Sequence, residues 1–389
     1  MMTQLEMILG AMPNDERGVD WEALEKTYLN DYFVKMAETQ QNPYYHGEGD
    51  VYTHTKMATE ALVCDEEYLA LSQKDKEIMF LAVLLHDIGK PKKTRVTDGK
   101  ITSNYHAPHG ALMARKLLWR DLGLSGTKEK QDMRETICTL IRHHSFPPYA
   151  MECENPEARI FKIASQGELN PSFSMRKLCM LERADIRGRI ANTLDSSLEK
   201  VAFCRMMSEE LGCLDNPPKF KSDYTFRAYM KGIKVDKEQE LFDDTWGEVI
   251  VMAGLPGTGK DTYIKKMFPN LPMISLDEIR EELRVSPTDK QTDVVELARE
   301  RCKQFLRDKK SFIWNATSLT DQLRSMQLNT MDAYGAKVRL IFLETEWEEQ
   351  LRRNNSRKRV VPYAIIDSML SRLEPPQRHE AESVEWVIL

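Results

Sequence analysis

The sequence predicts a multidomain fold, with an all-α N-terminal half and an α/β C-terminal half built on a parallel sheet. Two observations lead to this prediction. Apolar residues recur at helical spacing from residue 20 to about residue 210, whereas short apolar runs alternate with helical segments from residue 248 onward. A chain of 389 residues is also long enough to form two separate cores.

In the N-terminal half, helical periodicity predicts a series of amphipathic helices, and no strand-like alternation competes with it. The segments that carry the pattern are Lys56–Val63, Glu77–Leu85, Gly110–Trp119 and Arg134–Ile141. A change of composition at Asp215-Asn-Pro-Pro, followed by a charged stretch, predicts a linker region. We therefore expect one domain at residues 1–214, a linker region at 215–246 and a second domain at 247–389.

In the C-terminal half, short apolar runs predict the strands of a parallel sheet, and the intervening segments predict the helices that cover it. The predicted strands are Val249–Ala253, Met273–Ser275, Ser311–Trp314 and Val338–Leu343, and a helix is predicted at Thr292–Arg307.

Composition excludes several classes of protein. The net charge of −6 argues against a general nucleic-acid coat, so only local basic patches are candidate polyanion sites. No apolar run is long enough to span a membrane, and acidic residues occupy the region where a secretory signal would be apolar, so we expect a cytoplasmic protein. The seven cysteines include no C-x-x-C pair, which favours reduced thiols.

A glycine-rich loop between a predicted strand and a predicted helix indicates a phosphate-binding site. It reads Gly254-Leu-Pro-Gly257-Thr258-Gly259-Lys260, in which backbone N–H groups and a helix N-terminus can surround phosphate oxygens. Asp261 stands where a magnesium-binding serine or threonine is usual, and Thr262 follows it. A carboxylate is a suitable magnesium ligand, so we expect ATP or another NTP with Mg²⁺ at this loop.

Charged residues follow the later strands of the same half. Asp277 and Arg280 lie one helical turn apart, so one can accept a proton from an attacking hydroxyl while the other binds a substrate phosphate. Five positive charges also fall within eight positions at Arg352–Arg359, in the run Arg352-Arg353-Asn-Asn-Ser-Arg357-Lys358-Arg359. We expect this run to be a lid whose arginines either stabilise charge on a transferring phosphoryl group or hold a polyanionic acceptor.

These motifs resemble the P-loop 5′-hydroxyl polynucleotide kinases of phage and bacterial RNA repair, over roughly residues 248–376. The resemblance rests on the glycine loop, Asp277 with Arg280, Asn315-Ala-Thr317-Ser-Leu, and Arg353-Asn-x-x-Arg357-x-x-x-Val361-Pro362. It implies that Asp277 is the general base, that Arg280 contacts the acceptor phosphate, and that Arg353 and Arg357 engage the donor phosphates. It also implies that Thr317 and Arg324 help to bind the acceptor.

Seven of the eight histidines fall between His46 and His144, a distribution that predicts a metal site in the N-terminal half. The candidate ligands come from separate predicted helices, which can converge on one metal, and a bound divalent ion would activate water for phosphate cleavage. They are His54, His86, Asp87, His109, His143, His144 and Asp185. Lys90 follows the second of these helices and is placed to meet a substrate phosphate.

This set resembles the HD-domain phosphohydrolases over about residues 43–205, and Gly47-Glu-Gly-Asp50-Val-Tyr-Thr-His54-Thr is especially similar to the HD module of bacterial tRNA nucleotidyltransferases. The resemblance implies a helical-bundle fold and a first metal bound by His54, His86, Asp87 and Asp185. It further implies a second metal bound by His109 and by either His143 or His144. Manganese, cobalt, nickel, iron and zinc all suit such ligands.

An HD domain fused to a polynucleotide kinase resembles the bacterial bifunctional enzymes that heal RNA ends. The resemblance implies NTP-dependent phosphorylation of 5′-hydroxyl ends and removal of 2′,3′-cyclic, 2′- or 3′-phosphate. Nucleic-acid ends, with RNA favoured over DNA, are then the expected partners, together with a ligase of the same pathway and a homodimeric second copy. Two alternatives stay open: a small-molecule kinase with an HD nucleotidase in salvage, and a kinase with a non-catalytic, RNA-binding HD module.

Overall fold

The computed structural model describes residues 2–14, 17–286, 289–357 and 359–389. The chain divides into two compact units, one formed by residues 1–124 and 128–219 and the other by residues 125–127 and 220–389. The main division, between Lys219 and Phe220, falls inside the segment expected to be a linker region. The fold class is confirmed: the N-terminal unit is a helical bundle, and the C-terminal unit is an α/β domain built on a parallel sheet.

Helices dominate the N-terminal unit, joined by short 3-10 segments. In the described part of this unit they are α1 (Gln4–Leu9), α2 (Trp21–Leu24), α3 (Asn30–Ala37), α4 (Val51–Val63), α5 (Glu66–Leu69), α6 (Gln73–Leu85), α7 (Lys90–Lys93), α8 (His106–Lys116), α9 (Lys128–His143), α10 (Pro156–Ala164), α11 (Met175–Arg187) and α12 (Leu194–Glu210). All four helices predicted from periodicity are among them.

Helix α6 forms the centre of this unit. Its first turn is capped by Ser72, whose hydroxyl accepts the Asp75 N–H (3.2 Å), and every residue from Ile78 to Leu85 is buried. Helices α4, α9 and α11 pack around it. A helix buried on all sides has little freedom to tilt, so the residues that follow its C-terminus are held in a fixed position.

The N-terminal unit also contains a short antiparallel hairpin, contrary to the expectation that this half has no strands. Strands β1 (Arg95–Thr97) and β2 (Lys100–Thr102) are joined by Asp98-Gly99, both in the left-handed region at φ 51° and 74°. Asp-Gly at these positions favours a tight two-residue turn. Each strand has only three residues, too few to produce a periodic signal in the sequence.

A five-stranded parallel sheet organises the C-terminal unit, with strand order β4-β5-β3-β6-β7. Its strands are β3 (Trp246–Ala253), β4 (Met273–Ser275), β5 (Phe312–Asn315), β6 (Ala336–Glu344) and β7 (Ser383–Ile388), and its helices are α13 (Asp223–Met230), α14 (Lys260–Met267), α15 (Leu276–Leu283), α16 (Thr292–Arg307), α17 (Asp321–Ala333), α18 (Trp347–Asn355) and α19 (Tyr363–Leu370). Strand β7 and helix α13 add to the predicted elements.

Helix α13 lies within the segment expected to be a linker region, and it packs as part of the C-terminal unit. Phe226 is buried, and Arg227 donates hydrogen bonds to the His379 carbonyl (2.5 Å) and to Asp332 Oδ2 (3.0 Å). Asp223 pairs with Arg378. The strongly charged composition of residues 219–246 concealed this helix, because its few apolar residues are widely spaced.

No helix in the described ranges combines the length and apolar character needed to cross a membrane. All seven cysteines are free thiols, and five of them are buried.

A buried ion pair stabilises the loop after β5. Arg324 on α17 is fully buried and binds Glu380 through two hydrogen bonds, Nε to Oε2 (2.6 Å) and Nη2 to Oε1 (2.8 Å). Its Nη1 donates to the carbonyls of Ser318 (3.0 Å) and Glu374 (2.6 Å). Ser318 has a left-handed backbone at φ 42°, which costs energy for a residue other than glycine. The guanidinium therefore holds a strained turn in place.

We expect Arg324→Met to destabilise the C-terminal unit by about 3–5 kcal/mol, because it leaves the Glu380 carboxylate buried without its partner. Denaturant unfolding followed by tryptophan fluorescence measures the change. Arg301→Met is the matched control, since Arg301 pairs with Glu282 at the exposed surface and its loss should shift the midpoint little. Equal shifts for the two variants would contradict this role of Arg324.

Candidate functional site

The histidine and aspartate side chains predicted from the sequence lie on, or directly after, five helices of the N-terminal unit. His54 lies in the first turn of α4, which Asp50 caps by accepting the Thr53 N–H (2.9 Å). His86 and Asp87 follow the buried helix α6, and Asp185 lies near the end of α11. All four are at most 3% exposed, so a substantial amount of polar surface is removed from water here.

Asp87 lies between two groups of imidazoles. Its Oδ2 is 3.2 Å from His86 Nε2 and 3.7 Å from His54 Nε2. Its Oδ1 is 3.3 Å from His106 Nε2 and 3.9 Å from His144 Nε2. The groups His54–His86–Asp87 and Asp87–His106–His144 each bring their ligand atoms within 4.8 Å of one another. One carboxylate therefore faces two potential metal positions.

Asp185 completes the first group. Its Oδ1 is 2.9 Å from His54 Nε2 and 3.9 Å from His86 Nε2, and Arg189 binds it through Nη2 to Oδ2 (2.5 Å) and Nε to Oδ1 (3.1 Å). Burial would raise the pKa of Asp185, but the Arg189 charge and its contacts with His54 outweigh it and hold that pKa well below its usual range. The carboxylate is therefore ionised at neutral pH.

The structure brings His106 into the second group, where the sequence predicted His109. Both lie on α8 three residues apart, so spacing alone does not distinguish them. Neither His109 nor His143 is a member of the metal-competent groups found among the described residues. Of the adjacent pair, His144 is the one that joins the cluster. The surroundings of His109 are different: burial, followed by the charges of Lys93 and Lys92, lowers the pKa of its imidazole.

Gly89 explains why α8 comes so close to Asp87. A Cβ atom at Gly89 would lie 2.2 Å from the His106 carbonyl oxygen and 2.8 Å from the Gly110 nitrogen, distances that real Cβ atoms do not show. Only a glycine two residues after Asp87 permits this approach. Gly89 is visible in the sequence, and a glycine at this position could have indicated that another segment of backbone packs closely against it.

The imidazoles are oriented as metal ligands. His86, His106 and His144 each donate Nδ1–H to a backbone carbonyl at 2.7–2.8 Å, so in the neutral rings Nε2 is unprotonated and faces the cluster. Burial, and then the neighbouring histidine charges, lower the pKa of His144 to about 3. The His144 ring is therefore neutral, as a metal ligand must be.

Several polar atoms of the cluster are buried without a well-aligned hydrogen bond in the described part of the chain. They are His86 Nε2 and both carboxylate oxygens of Asp87, of which Oδ2 has the Lys90 ammonium as an ion-pair partner. The unprotonated Nε2 atoms of His106 and His144 face each other at 3.2 Å. A divalent cation would satisfy all of these atoms, so the residues fit a metal site.

Lys90 is placed against the same carboxylate. Its buried Nζ lies 2.6 Å from Asp87 Oδ2 and donates to Gln41 Oε1 at 2.6 Å. Burial alone would raise the pKa of Asp87, but the Lys90 and histidine charges hold it well below its usual range. Lys90 therefore adds positive charge beside the cluster.

Sequence reasoning missed a second layer around His54. The fully buried Glu48 carboxylate lies 3.0 Å from His54 Nδ1 and 2.7 Å from His46 Nδ1, and it accepts the Ile190 N–H at 2.9 Å. A carboxylate that accepts Nδ1–H leaves Nε2 free to bind a metal. The position of Glu48, six residues before His54, was visible in the sequence, but no spacing rule predicts this contact.

In the C-terminal unit, the glycine loop lies between β3 and α14. Gly254, Gly257 and Gly259 have φ values of 138°, 86° and 90°. A Cβ at Gly254 would lie 2.5 Å from the Leu343 carbonyl oxygen, and one at Gly257 would lie 2.6 Å from that of Gln350. Thr258 is buried, and its hydroxyl donates to the Leu255 carbonyl (2.9 Å). The loop is thus held tightly beneath the N-terminus of α14, where anions bind.

Lys260 bends back over this loop. Its Nζ donates to the carbonyls of Gly254 (2.8 Å) and Leu255 (2.9 Å). Burial lowers the pKa of Lys260 to about 8, and the charge of Arg357 adds to this effect although Asp261 opposes it. Among the described residues, the Lys260 ammonium therefore contacts carbonyl oxygens and forms no ion pair with a carboxylate.

Asp261 is oriented by an asparagine at the end of β5. Asn315 donates Nδ2–H to Asp261 Oδ1 at 2.8 Å. Both Asp261 and the neighbouring Thr262 are exposed at the start of α14. The residues fit a hydrated magnesium ion, which prefers a carboxylate oxygen and usually retains several waters.

Asp277 and Arg280 share one face of α15, as the spacing predicts. Arg280 donates Nη1–H to Asp277 Oδ1 (2.5 Å) and Nε–H to Gln291 (2.7 Å). Arg357 Nη2 lies 4.0 Å from Asp277 Oδ2. A Cβ at Gly259 would lie 3.4 Å from Arg353 Nη1. Arg353 therefore lies beside the glycine loop, and Arg357 lies beside Asp277.

The basic run at 352–359 is less uniform in charge than its sequence indicates. Arg352 and Arg353 both pair with Glu349, at 2.5 and 2.6 Å, and Arg359 pairs with Glu281 at 3.1 Å. Lys358 lies outside the described residues. Glu349 precedes the run by one helical turn, so its charge was overlooked when the run was counted by itself.

Two residues predicted to bind the acceptor have structural contacts. The Thr317 carbonyl accepts the Gly254 N–H (2.9 Å), which ties the loop after β5 to the glycine loop. Arg324 is fully buried in its pair with Glu380, so its guanidinium is not available to an acceptor in this arrangement. Burial of an arginine on the inner face of α17 could not be inferred from a single charged residue.

Comparison with known families agrees with this division of the chain. A family model described as HD domain matches residues 51–166, and one described as AAA domain matches residues 249–376. Each match covers less than half of the chain, and no curated protein matches it. An HD domain and a P-loop kinase-like AAA domain are therefore present in one chain, which supports phosphohydrolase chemistry together with nucleotide or nucleic-acid kinase chemistry.

Proposed function

We propose that this protein heals broken RNA ends by phosphorylating a 5′-hydroxyl in its C-terminal domain and removing a 2′,3′-cyclic, 2′- or 3′-phosphate in its N-terminal domain. The observation that carries the proposal is the presence in one chain of two sites for phosphate chemistry, an Asp87-centred metal cluster and a glycine loop facing Asp277. One activity removes phosphate and the other adds it, which are the two changes a ligase of the same pathway needs.

In the N-terminal site, His54, His86, Asp87 and Asp185 would hold one divalent ion, and Asp87, His106 and His144 a second. Bound metal supplies an activated water and withdraws charge from the phosphate. Glu48 keeps the His54 ring in its ligand tautomer. Lys90, 2.6 Å from Asp87 Oδ2, is placed to bind a phosphate oxygen of the substrate.

In the C-terminal site, the backbone N–H groups of Gly257, Gly259 and Lys260, together with the Lys260 ammonium, bind the donor phosphates. Asp261, held by Asn315, would carry Mg²⁺, which neutralises charge on the β- and γ-phosphates. Asp277 accepts the proton of the 5′-hydroxyl. The hydroxyl oxygen bonds to the γ-phosphorus as the bond between the γ-phosphorus and the bridging oxygen breaks, and the nucleoside diphosphate leaves. Arg353 and Arg357 stabilise the charge of the transferred group.

The position of Arg280 indicates which kind of acceptor the site binds. Arg280 projects from the same face of α15 as Asp277 and donates to it, so it is placed to grip the phosphate that follows the 5′-terminal nucleotide. A nucleoside offers no such phosphate, whereas a strand does. This contact favours a polynucleotide acceptor.

One observation favours the salvage alternative, a small-molecule kinase with an HD nucleotidase. Arg352, Arg353 and Arg359 are engaged by Glu349 and Glu281, so fewer cations are free for a polyanion than the sequence suggests. A direct experiment separates the two functions. RNA with a 5′-hydroxyl and a 2′,3′-cyclic phosphate is incubated with ATP, Mg²⁺ and Mn²⁺, and both termini are followed by mass. A parallel reaction contains mononucleosides in place of the RNA. Change at both RNA ends supports end healing, whereas unchanged RNA together with phosphorylated nucleosides in the parallel reaction supports salvage.

Asp87→Ala should abolish phosphate release and leave 5′-phosphorylation within about two-fold of wild type, because Asp87 alone faces both imidazole groups. Release of inorganic phosphate from a 3′-phosphorylated oligonucleotide and transfer of labelled γ-phosphate to a 5′-hydroxyl oligonucleotide measure the two activities. Loss of both would show that the sites are not separate.

Asp277→Asn should reduce 5′-phosphorylation by about 10²–10⁴-fold, since the amide cannot accept the hydroxyl proton. Phosphate release should be unchanged in this variant. Glu281→Gln, one turn farther along α15, is the control with the same charge change and should retain full kinase activity. A kinase rate for Asp277→Asn close to wild type would exclude its role as the base.

Nucleotide affinity should fall as pH rises above 8. The charged Lys260 ammonium binds phosphate, and its pKa of about 8 in the free protein means that binding above this pH requires proton uptake. The dissociation constant of a non-hydrolysable ATP analogue with Mg²⁺ should therefore rise by up to about ten-fold per pH unit. Calorimetry from pH 7 to 9.5 tests this, with Lys260→Met as a weaker binder whose affinity is independent of pH. A flat wild-type profile would contradict the assignment.

A further inference from the structure

A basic hairpin connects the two imidazole groups of the N-terminal site. It consists of β1 and β2, lies between Lys90 and His106 in the chain, and is closed at its base by a hydrogen bond between Thr94 Oγ1 and Ser103 Oγ (2.8 Å). Thr94 donates both N–H and Oγ1–H to the Lys90 carbonyl at 2.8 Å. The hairpin therefore begins directly at the metal cluster.

The other end of the hairpin base is bonded to His106. The Ser103 carbonyl accepts His106 N–H (3.2 Å) and His106 Nδ1–H (2.7 Å). The same ring presents Nε2 to Asp87 Oδ1 at 3.3 Å. One end of the hairpin is thus connected to Asp87 through Lys90, and the other end through His106.

The charge of this segment is strongly positive within an acidic protein. Four cations, Lys92, Lys93, Arg95 and Lys100, accompany a single acid, Asp98, whereas the whole chain has a net charge of −6. Among the described residues, no carboxylate lies within ion-pair distance of these four, although Arg95 donates to the backbone carbonyls of Lys92 and Thr94. Lys92, Arg95 and Lys100 are exposed. Unpaired cations clustered in this way attract a polyanion.

Tyr105 adds an aromatic ring at the hairpin base. It precedes His106, its side chain is 79% exposed, and its backbone is left-handed at φ 62°. This conformation is costly for a tyrosine and is retained where the surroundings impose it, often at functional sites. An exposed ring beside a phosphate-cleaving centre is a suitable platform for a nucleobase.

We propose that this hairpin, together with Tyr105, is the strand-binding arm of the phosphohydrolase site, which holds the nucleotides that precede the phosphate to be removed. The four cations bind backbone phosphates, and Tyr105 stacks on a base. The inference rests on the proposed function, and it specifies the substrate of the N-terminal site as a single-stranded polynucleotide end in preference to a mononucleotide.

The salt dependence of phosphate release tests the arm in the full-length protein. The apparent KM for a 3′-phosphorylated oligonucleotide is compared at 50 and 200 mM salt in wild type and in Arg95→Gln/Lys100→Gln. Each lost phosphate contact lowers the salt slope by about 0.7 for single strands, so the rise in KM should be about seven-fold smaller in the variant. Lys26→Gln/Lys35→Gln removes the same charge from the same unit and should behave as wild type.

Substrate length separates the arm from the proposed function. In the variant, KM for the oligonucleotide at 50 mM salt should rise, while KM for a nucleoside 3′-phosphate stays the same. An unchanged salt slope, or equal losses on both substrates, would overturn the arm while leaving end healing intact. A wild-type protein that releases no phosphate from any oligonucleotide would overturn both proposals.

Tyr105 is tested by a matched pair of variants. Tyr105→Ala removes the ring and should raise KM for the oligonucleotide about ten-fold, as expected for the loss of one stacked base. Tyr105→Phe keeps the ring and should retain the wild-type KM. Equal values for the two variants would exclude stacking on Tyr105.

Discussion

Burial of the Asp87 carboxylate is the constraint on which the N-terminal unit depends. A charge removed from water needs partners, and here they come from four helices and from Lys90. The packing of α6 fixes where Asp87 emerges, and backbone carbonyls that accept Nδ1–H fix which way the imidazoles face. The same contacts that make the site competent for a metal also leave several of its atoms unsatisfied without one. A divalent ion bound at these atoms would therefore stabilise the folded unit.

In the C-terminal unit the corresponding constraint is close backbone contact around the glycine loop. Carbonyl oxygens of β6 and α18 approach Gly254 and Gly257 to distances that no side chain would permit. This packing fixes the path of the loop at the N-terminus of α14, a position where anions bind. The arginines of the following helices and Asp277 then surround that position from the opposite side. Rigid backbone supplies the phosphate site, while exposed side chains supply the chemistry.

Sequence reasoning predicted the features that depend on local pattern. The fold class of each unit and the glycine loop follow from periodicity and motif spacing. The grouping of His54, His86, Asp87 and Asp185 was implied by the resemblance to the HD-domain phosphohydrolases. Sequence reasoning failed where tertiary contacts decide. His106 and His109 differ by one helical turn, and only the approach of α8 selects between them. The β1–β2 hairpin is too short to show a period, and the burial of Arg324 depends on Glu380, which lies 56 residues away in the chain.

The close contact at Gly89 separates the two imidazole groups in their dependence on packing. His54 and His86 approach Asp87 without contact to Gly89, whereas His106 reaches it only because Gly89 carries a hydrogen atom where other residues carry a Cβ atom. One added carbon would displace α8 and leave the first group intact. A single backbone position thus decides whether the second imidazole group can form beside the first.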